Sequence, residues 1–292
     1  MSTSTQSYLA GLIGDGVIPS LTPPMHEAEA EAQGLRCVYR PVDLSIIGRP
    51  GADVGDLVRA GRDLGFNGFN ITYPCKQLVL AHLDEIASAA AQLGAVNTVV
   101  VTGEERRLVG HNTDAAGFGG GLAEALPDAD LTDVVQVGTG GAGSAVAYAL
   151  LERGVQRLHL IDLDLDRAAE RATAMGAIFP DRTVDAATPD ALPALLAAAT
   201  GVVNCTPLGM HNHPGAPFDL TLLRPQHWVA DVIYRPMNTP LIEAAQALGC
   251  AVMDGGHMAV AQAVESFTLM TGRPADPDRV RATFLQLIAE GR

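Results

Sequence analysis

The stretch "VVQVGTGGAGSAVAYALLERG" at residues 134–154 decides the fold. An apolar run typical of a buried strand leads into Gly138, Gly140 and Gly143, which match the spacing G-x-G-x-x-G, and an Ala-rich segment typical of a helix follows. Such glycines permit a tight turn, a close approach to a pyrophosphate and close packing of helix on strand. The first N–H groups of the helix favour phosphate oxygens. The sequence therefore predicts a Rossmann-type dinucleotide site that includes Gly141 and Ala142.

The next apolar strand, "LHLID" at 158–162, ends in a second candidate cofactor residue. Asp162 lies 24 positions after Gly138, near the spacing of about 20 at which an acid meets the adenosine ribose. A carboxylate there accepts a hydrogen bond from the 2′-hydroxyl and repels a 2′-phosphate, so Asp162 predicts NAD rather than NADP. Arg167 favours the opposite choice, because an arginine can bind a 2′-phosphate. The alternative is that "DLDLDR" (162–167) forms only a solvated turn and a helix cap.

Strands and helices alternate along the rest of the chain in two series. The first series starts at a strand over 8–14 and ends in a hairpin, 97–102 with 106–112, and helical stretches are expected between 75 and 93. The second series begins at "VVQVG" and is followed by helices over 257–271 and 277–289. Repeated βαβ units imply parallel sheet covered on both faces.

Two such series predict an α/β protein of two domains with a cleft between them, where a small ligand would bind. We expect residues 1–113, completed by the C-terminal helices at 257–292, to form a substrate-binding and catalytic α/β domain. Residues 114–256 are expected to form the Rossmann-type dinucleotide-binding domain.

Composition limits the partners of this chain. With a net charge of −14 over 292 residues, we expect neither a nucleic acid nor an anionic membrane as partner, since both select basic faces. Four scattered cysteines without a C-x-x-C pair indicate reduced thiols and a cytoplasmic location. No signal peptide and no run of about 18 apolar residues is visible. His211 and His213 form an H-x-H pair without a further ligand at metal spacing, so no metal is expected.

Lys76, in "NITYPCKQ" (70–77), is the single lysine; all other basic residues are arginines. Arginine stays charged, whereas lysine can lose and regain a proton. A bias of composition toward arginine is the plain alternative. A site for proton transfer would require lysine, which makes Lys76 a candidate acid/base.

Further polar residues follow the ends of apolar strands in the first series. Each has a plain alternative as a helix cap or a turn residue. Together they offer the hydroxyl, amide, amine and carboxylate groups that suit a small polyhydroxylated acid. They are Ser20 and Thr22 in "PSLTP", Thr72 and Lys76 in "NITYPCK", Asn97 in "GAVNT", and Asp114 in "GHNTD". His26 is expected to face the cleft or solvent.

With these residues in place, the sequence resembles the shikimate dehydrogenase family. The matching stretches run in family order and cover nearly the whole chain: "SLTPPMHEAE", "GFNITYPCKQ", "LGAVNTVV", "GHNTDAAGF", "VGTGGAGSAVAYAL", "NCTPLGM", "DVIYRPMNTPLIEAAQALGC" and "MAVAQAVESFTLMTG". The resemblance implies an oxidoreductase that transfers a hydride between a nicotinamide cofactor and C3 of shikimate or 3-dehydroshikimate.

The resemblance also implies roles for individual residues. Lys76 matches the family's catalytic lysine and Asp114 its carboxylate partner. Ser20 and Thr22 match positions that hold the substrate carboxylate. Positions that bind ring hydroxyls correspond to Thr72, Asn97 and Gln262, and Tyr234 is expected at or beside the substrate. Positions beside the nicotinamide half of the cofactor correspond to Thr206, Pro207, Leu208, Val232 and Gly255.

Two departures point to one branch of the family. Many members specific for shikimate and NADP carry His-Ser-x-Ser-Pro in the first cluster, where this chain has Pro19-Ser20-Leu21-Thr22-Pro23. Those members also carry an Asn-Arg-Thr turn where this chain has Asp162. Both changes resemble the NAD-dependent quinate/shikimate dehydrogenases, so quinate joins shikimate as a candidate substrate, in a catabolic or a biosynthetic role. The alternatives are an aminoshikimate or related polyol-acid dehydrogenase, and an NAD-sensing regulator without activity. A monomer and a homodimer are both compatible with the sequence.

Overall fold

The computed structural model describes residues 7–291, which form two compact units. Of the residues described, unit 1 comprises 7–113 and 262–291, and unit 2 comprises Asp114–Ala261. The chain thus returns to unit 1 inside a helix, five residues after the position 257 expected from the sequence.

Unit 1 is built on a six-stranded mixed sheet with the order β2-β1-β3-β5-β6-β4. Strand β1 pairs in parallel with β2 and β3, and β5 is antiparallel to both β3 and β6. The predicted hairpin β5–β6 is therefore confirmed. The strands are β1 (Ser7–Gly14), β2 (Arg36–Asp43), β3 (Gly68–Ile71), β4 (Glu85–Ile86), β5 (Thr98–Thr102) and β6 (Arg107–His111).

The helical stretches expected between 75 and 93 are present, but the short strand β4, which pairs in parallel with β6, lies between them. Two residues are too few to give a period, so the pairing of this strand rather than its sequence defines it. The helices of unit 1 are α1 (Thr22–Ala32), α2 (Leu44–Ile47), α3 (Val54–Asp63), α4 (Cys75–Leu78), α5 (Ser88–Leu93) and α12 (Pro277–Ala289).

Two hydrophobic cores and one ion pair hold unit 1 together. Ile13, Phe69 and Val99 bury the inner strands against α3 and α5, and Tyr39 packs with Met270 in a second cluster. Glu29 on α1 is 1% exposed and accepts two hydrogen bonds from Arg279 on α12, at 2.7 and 2.8 Å. The C-terminal helix is thereby fixed to the first helix of the unit.

Unit 2 has a six-stranded sheet, all parallel, with the order β12-β11-β10-β7-β8-β9. Its strands are β7 (Asp133–Val137), β8 (Arg157–Ile161), β9 (Thr183–Ala187), β10 (Gly201–Asn204), β11 (Trp228–Asp231) and β12 (Ala251–Met253). Its helices are α7 (Gly141–Glu152), α8 (Leu165–Ile178), α9 (Leu192–Ala198) and α10 (Pro240–Ala247); α6 (Thr113–Ala125) enters the unit and α11 (Gly255–Thr271) leaves it.

Renumbered from the first strand of the unit, this order is 3-2-1-4-5-6, the doubly wound arrangement of dinucleotide-binding domains. Strands β7, β10 and β11 are buried along their whole length, which fits their mostly apolar composition. The direction of winding reverses between β7 and β10. Ligands of such sheets bind at the carboxyl ends of the strands beside this switch point.

Candidate functional site

The glycine loop lies at the switch point, between the end of β7 and the start of α7. Gly138 has φ +99°, and a Cβ there would approach the Cys205 carbonyl carbon to 2.8 Å. A Cβ on Gly143 would collide with the Gly138 carbonyl, whereas Cβ atoms on Gly140 and Gly141 would meet nothing within 4 Å. Two glycines thus permit close packing, and two leave open space above the loop.

That open space lies at the first turn of α7, where Gly140 is the N-cap and no side chain caps the helix. Backbone N–H groups and the positive end of the helix dipole are therefore offered to an anion. The loop has the shape and the donors that a pyrophosphate needs, so these residues fit a dinucleotide.

Gln136 fixes this loop from below. Its side chain is fully buried in β7, and Nε2 donates to the carbonyls of Gly138 (2.9 Å) and Gly143 (2.8 Å). These carbonyls lie at the two ends of the turn, so one amide closes it. Within residues 7–291, the Oε1 of the same amide has no hydrogen-bond partner.

Asp162 follows β8 directly and is tied to the same loop. Its Oδ2 accepts from the backbone N–H (2.9 Å) and the hydroxyl (2.6 Å) of Thr139. Its Oδ1 accepts from Nη2 of Arg167 (2.5 Å) and from the N–H of Asp164 (3.1 Å). Burial alone would raise the pKa of Asp162, but these donors lower it to about 2. The carboxylate is charged at neutral pH, and Arg167 is paired with it.

The residues expected beside the nicotinamide lie at the carboxyl ends of β10 and β11. Thr206, Pro207 and Leu208 form the turn after β10, and Val232 follows β11. Gly255 opens α11, and a Cβ there would collide with the backbone of Val232 and Ile233. The structure therefore brings these positions to the same edge of the unit 2 sheet as the glycine loop.

Unit 1 places its candidate residues at the ends of β1 and β3 and before β5. Ser20 lies in the turn after β1, where its Oγ accepts from the N–H of Thr22 at 3.3 Å. Thr72 follows β3, and its N–H donates to Ile13 O at 3.0 Å. Lys76 lies in the first turn of α4, and its carbonyl accepts from the N–H of Val96 at 2.9 Å.

That backbone contact brings the segment of Lys76 next to Asn97, whose amide is held by a buried polar cluster. Its Oδ1 accepts from the N–H of Thr113 at 2.7 Å, and its Nδ2 donates to Thr113 Oγ1 at 3.0 Å. Thr98 Oγ1 bonds to Asn97 Oδ1 (3.1 Å) and accepts from Asn70 Nδ2 (2.9 Å). The orientation of the Asn97 amide is therefore fixed by its neighbours.

The remaining candidates are divided between the units. Gln262 belongs to unit 1, whereas Asp114, in the first turn of α6, and Tyr234 belong to unit 2. The pairing of Asp114 with Lys76 stays a prediction.

His26 faces neither a cleft nor solvent, contrary to expectation. It is 2% exposed, lies edge-on to the Tyr39 ring and bonds to Ser266 Oγ at 3.1 Å. Burial lowers the pKa of His26 to about 3, so it is a neutral core residue.

The chain is similar to known proteins over nearly its whole length. The model of the "Shikimate dehydrogenase substrate binding domain" matches residues 12–99, and that of the "Shikimate 5'-dehydrogenase C-terminal domain" matches 257–283. A "Shikimate dehydrogenase (NADP(+))" of Pseudarthrobacter chlorophenolicus is 57% identical over 289 residues, which cover 99% of this chain and 98% of that protein. The chain belongs to the shikimate dehydrogenase family. Residues 134–212 also match the "Saccharopine dehydrogenase NADP binding domain".

Other similar proteins are named for NAD rather than for NADP. A "Quinate/shikimate dehydrogenase (NAD(+))" of Corynebacterium efficiens is 51% identical over 281 residues, 96% of this chain and 99% of that protein. The solved structure "Quinate dehydrogenase from Corynebacterium glutamicum in complex with NAD" has a TM-score of 0.93 and 49% identity, and the match covers 97% of this chain and all of that one.

Sequence reasoning missed several polar residues around the sites. Thr139, Asn70 and Thr98 act on other candidates through hydrogen bonds that only the folded chain reveals. Asn204 and Asp231, in contrast, end β10 and β11. The rule that polar residues at strand ends are candidates, applied here only to the first series of strands, would have found both.

Among the residues described, no helix is long and apolar enough to cross a membrane.

Proposed function

We propose that this member of the shikimate dehydrogenase family is an NAD-dependent quinate/shikimate dehydrogenase. The observation that carries the proposal is the unit 2 switch point. There an uncapped helix N-terminus, open glycines and a charged Asp162 lie together. This combination suits the pyrophosphate and the adenosine ribose of a nicotinamide dinucleotide. Substrate is assigned to unit 1, which supplies Lys76 and the oriented Asn97.

The choice of NAD over NADP is supported by the pairing of Asp162 with Arg167. The pKa of the Asp162 carboxyl is lowered to about 2, so the carboxylate is charged at neutral pH and repels a 2′-phosphate. Arg167, the one basic residue on this turn, is already engaged by that carboxylate at 2.5 Å. Leu163, 88% exposed, adds no cation. The relatives are named for both cofactors, so this local geometry carries the choice.

The chemistry assigned to the chain is proton transfer and orientation. When bound, the nicotinamide ring supplies the hydride acceptor at its C4. Lys76 takes the proton from the C3 hydroxyl in the oxidation and returns it in the reduction. Asp114 orients the amine. Asn97, with its amide held by Thr113, hydrogen-bonds a ring hydroxyl and so fixes which carbon faces the cofactor.

The acid substrate is held through its carboxylate and hydroxyls. Ser20, in the turn after β1, and Thr22, the first residue of α1, offer hydroxyl donors that fit a carboxylate. Thr72 and Gln262 fit ring hydroxyls. Quinate differs from shikimate at C1, next to that carboxylate. Thr22 stands where many shikimate-specific members have serine, so the wall beside C1 differs. This supports activity with quinate as well as shikimate.

The test is a rate measurement at 340 nm with both acids and both cofactors. We expect turnover of shikimate and quinate, and a higher kcat/KM with NAD than with NADP. A higher value with NADP would contradict the assignment of Asp162. No turnover with any combination, together with measurable NAD binding, would favour the NAD-sensing regulator instead.

A further inference from the structure

A chain of three buried polar side chains links the loops at the nicotinamide end of unit 2. Asn204 ends β10, Asp231 ends β11 and Thr239 caps α10, and all three are 0% exposed. Asn204 Nδ2 donates to Asp231 Oδ1 at 3.1 Å, and Thr239 Oγ1 donates to Asp231 Oδ2 at 2.8 Å. The sequence signals none of these contacts, because the three residues are far apart along the chain.

Asn204 holds the turn after β10. Its Oδ1 accepts from the N–H (3.0 Å) and the hydroxyl (2.7 Å) of Thr206. Its Nδ2 donates to Leu208 O (3.2 Å) as well as to Asp231. All four hydrogen-bonding positions of the amide are therefore used. Three of them fix the turn expected beside the nicotinamide.

Asp231 holds the neighbouring segment. Its Oδ1 accepts from the N–H of Ile233 at 3.0 Å, and the backbone of Val232 and Ile233 lies against Gly255 without room for a Cβ. One carboxylate thus connects the turn after β10, the segment after β11 and, through that segment, the start of α11.

Burial of the Asp231 carboxylate at this position is unfavourable for the free energy of folding. Within residues 7–291, Asp231 forms no ion pair, although it is buried, and burial raises its pKa to about 6 against the effect of its three donors. A buried acid without a cation costs more than an apolar side chain would. Such groups cluster where a site must be held in one geometry.

We propose that Asn204, Asp231 and Thr239 are positioning residues, which set the turn Thr206–Leu208 and the segment Val232–Ile233 for the nicotinamide half of the cofactor. This inference rests on the proposed function and adds residues that position the cofactor for it. The glycine loop and Asp162 hold the adenosine half through separate contacts. Substitution of Asn204, Asp231 or Thr239 should therefore weaken the binding of the nicotinamide half of the dinucleotide and leave the binding of the adenosine half unchanged.

The experiment compares NAD with ADP-ribose, which lacks the nicotinamide ring. Asn204→Leu removes all four hydrogen bonds with little change in volume. We expect the calorimetric Kd of NAD to rise about tenfold, kcat at saturating NAD to fall, and the Kd of ADP-ribose to stay as in the wild type. Thr239→Val is the second variant, with the same direction of change, and Thr239→Ser should restore wild-type values because it keeps the hydroxyl.

Asp219→Asn is the matched control. Asp219 also accepts from a threonine, through the N–H of Thr221 at 3.0 Å, but in a surface turn. Asp219→Asn should change the Kd of neither NAD nor ADP-ribose. Equal weakening of NAD and ADP-ribose in the test variants would reduce the three residues to a general structural role and overturn the proposal. Unchanged NAD binding and kcat would overturn it too. Failure of the proposed function is a separate result, since it would be seen in the wild type as absent turnover with either acid.

Discussion

Asp162→Asn is predicted to convert much of the preference for NAD into a preference for NADP. An asparagine that keeps its oxygen on Thr139 turns its NH2 group toward two donors, the N–H of Asp164 and Nη2 of Arg167. Donor then faces donor, so the short hydrogen bond from Arg167 Nη2 is lost, and only the longer one from Nε to the retained oxygen, at 3.3 Å, remains. The guanidinium, no longer paired with a charged carboxylate, becomes available to a 2′-phosphate.

Two effects set the size of this change. A hydrogen bond to a neutral amide in place of a carboxylate weakens NAD binding by about 1–2 kcal/mol. Loss of the negative charge removes a repulsion of about 3 kcal/mol per unit of phosphate charge, for groups about 5 Å apart at an effective dielectric constant of about 20. We therefore expect kcat/KM with NAD to fall about tenfold and the ratio of NAD to NADP activity to fall at least about 100-fold.

The assay is the initial rate at 340 nm with saturating shikimate or quinate and varied NAD or NADP. Asp164→Asn is the control: the exposed Asp164 caps α8 by accepting from the N–H of Arg167, and asparagine caps a helix as well. It should shift the ratio far less. A wild-type ratio in Asp162→Asn, with a native circular dichroism spectrum, would refute the assignment of cofactor choice to this carboxylate.

Three further predictions concern other parts of the chain. Lys76→Met should lower kcat about 1,000-fold while the Kd of the acid substrate stays within a few-fold, and Lys76→Arg should fail equally; near-normal turnover would remove Lys76 from proton transfer. Gln136→Leu should raise the calorimetric Kd of ADP-ribose about tenfold, because the two loop carbonyls lose their shared donor; an unchanged Kd would show that the loop closes without it. Burial alone would raise the pKa of Glu29, but hydrogen bonds from Arg279 and Gln33 bring it below its usual value, so its stabilising effect is complete above the unfolded pKa and is lost as pH falls. Glu29→Gln should therefore lower Tm by a few degrees at pH 7, and a difference from the wild type that persists at pH 3 would contradict this origin.

The sequence was sufficient for the fold of unit 2 because its signals are local. The apolar run of β7, the glycine spacing and the Ala-rich start of α7 follow one another without a gap, and Asp162 directly follows the apolar run of β8. In unit 1, the antiparallel hairpin was equally local. Strand β4 and the buried His26 could not be predicted, since the first depends on pairing with β6 and the second on packing against α11. Both are set by residues distant in the chain.

Contacts between residues distant in the chain also explain why polar residues at strand ends have different surroundings in the two sheets. In unit 1, Thr72 follows β3 and is half-buried, whereas Asn204 and Asp231 in unit 2 are fully buried and bond to each other. In both sheets the end of a strand is where a side chain can leave the packed core without breaking a strand hydrogen bond. Whether that side chain meets a ligand or a neighbouring loop depends on which strand lies beside it. Strands β10 and β11 are adjacent in the parallel order, so their terminal side chains point at each other's loops and can fix them. Adjacency of this kind is a property of the strand order, so a polar strand end in sequence marks a site without telling which of the two roles it has.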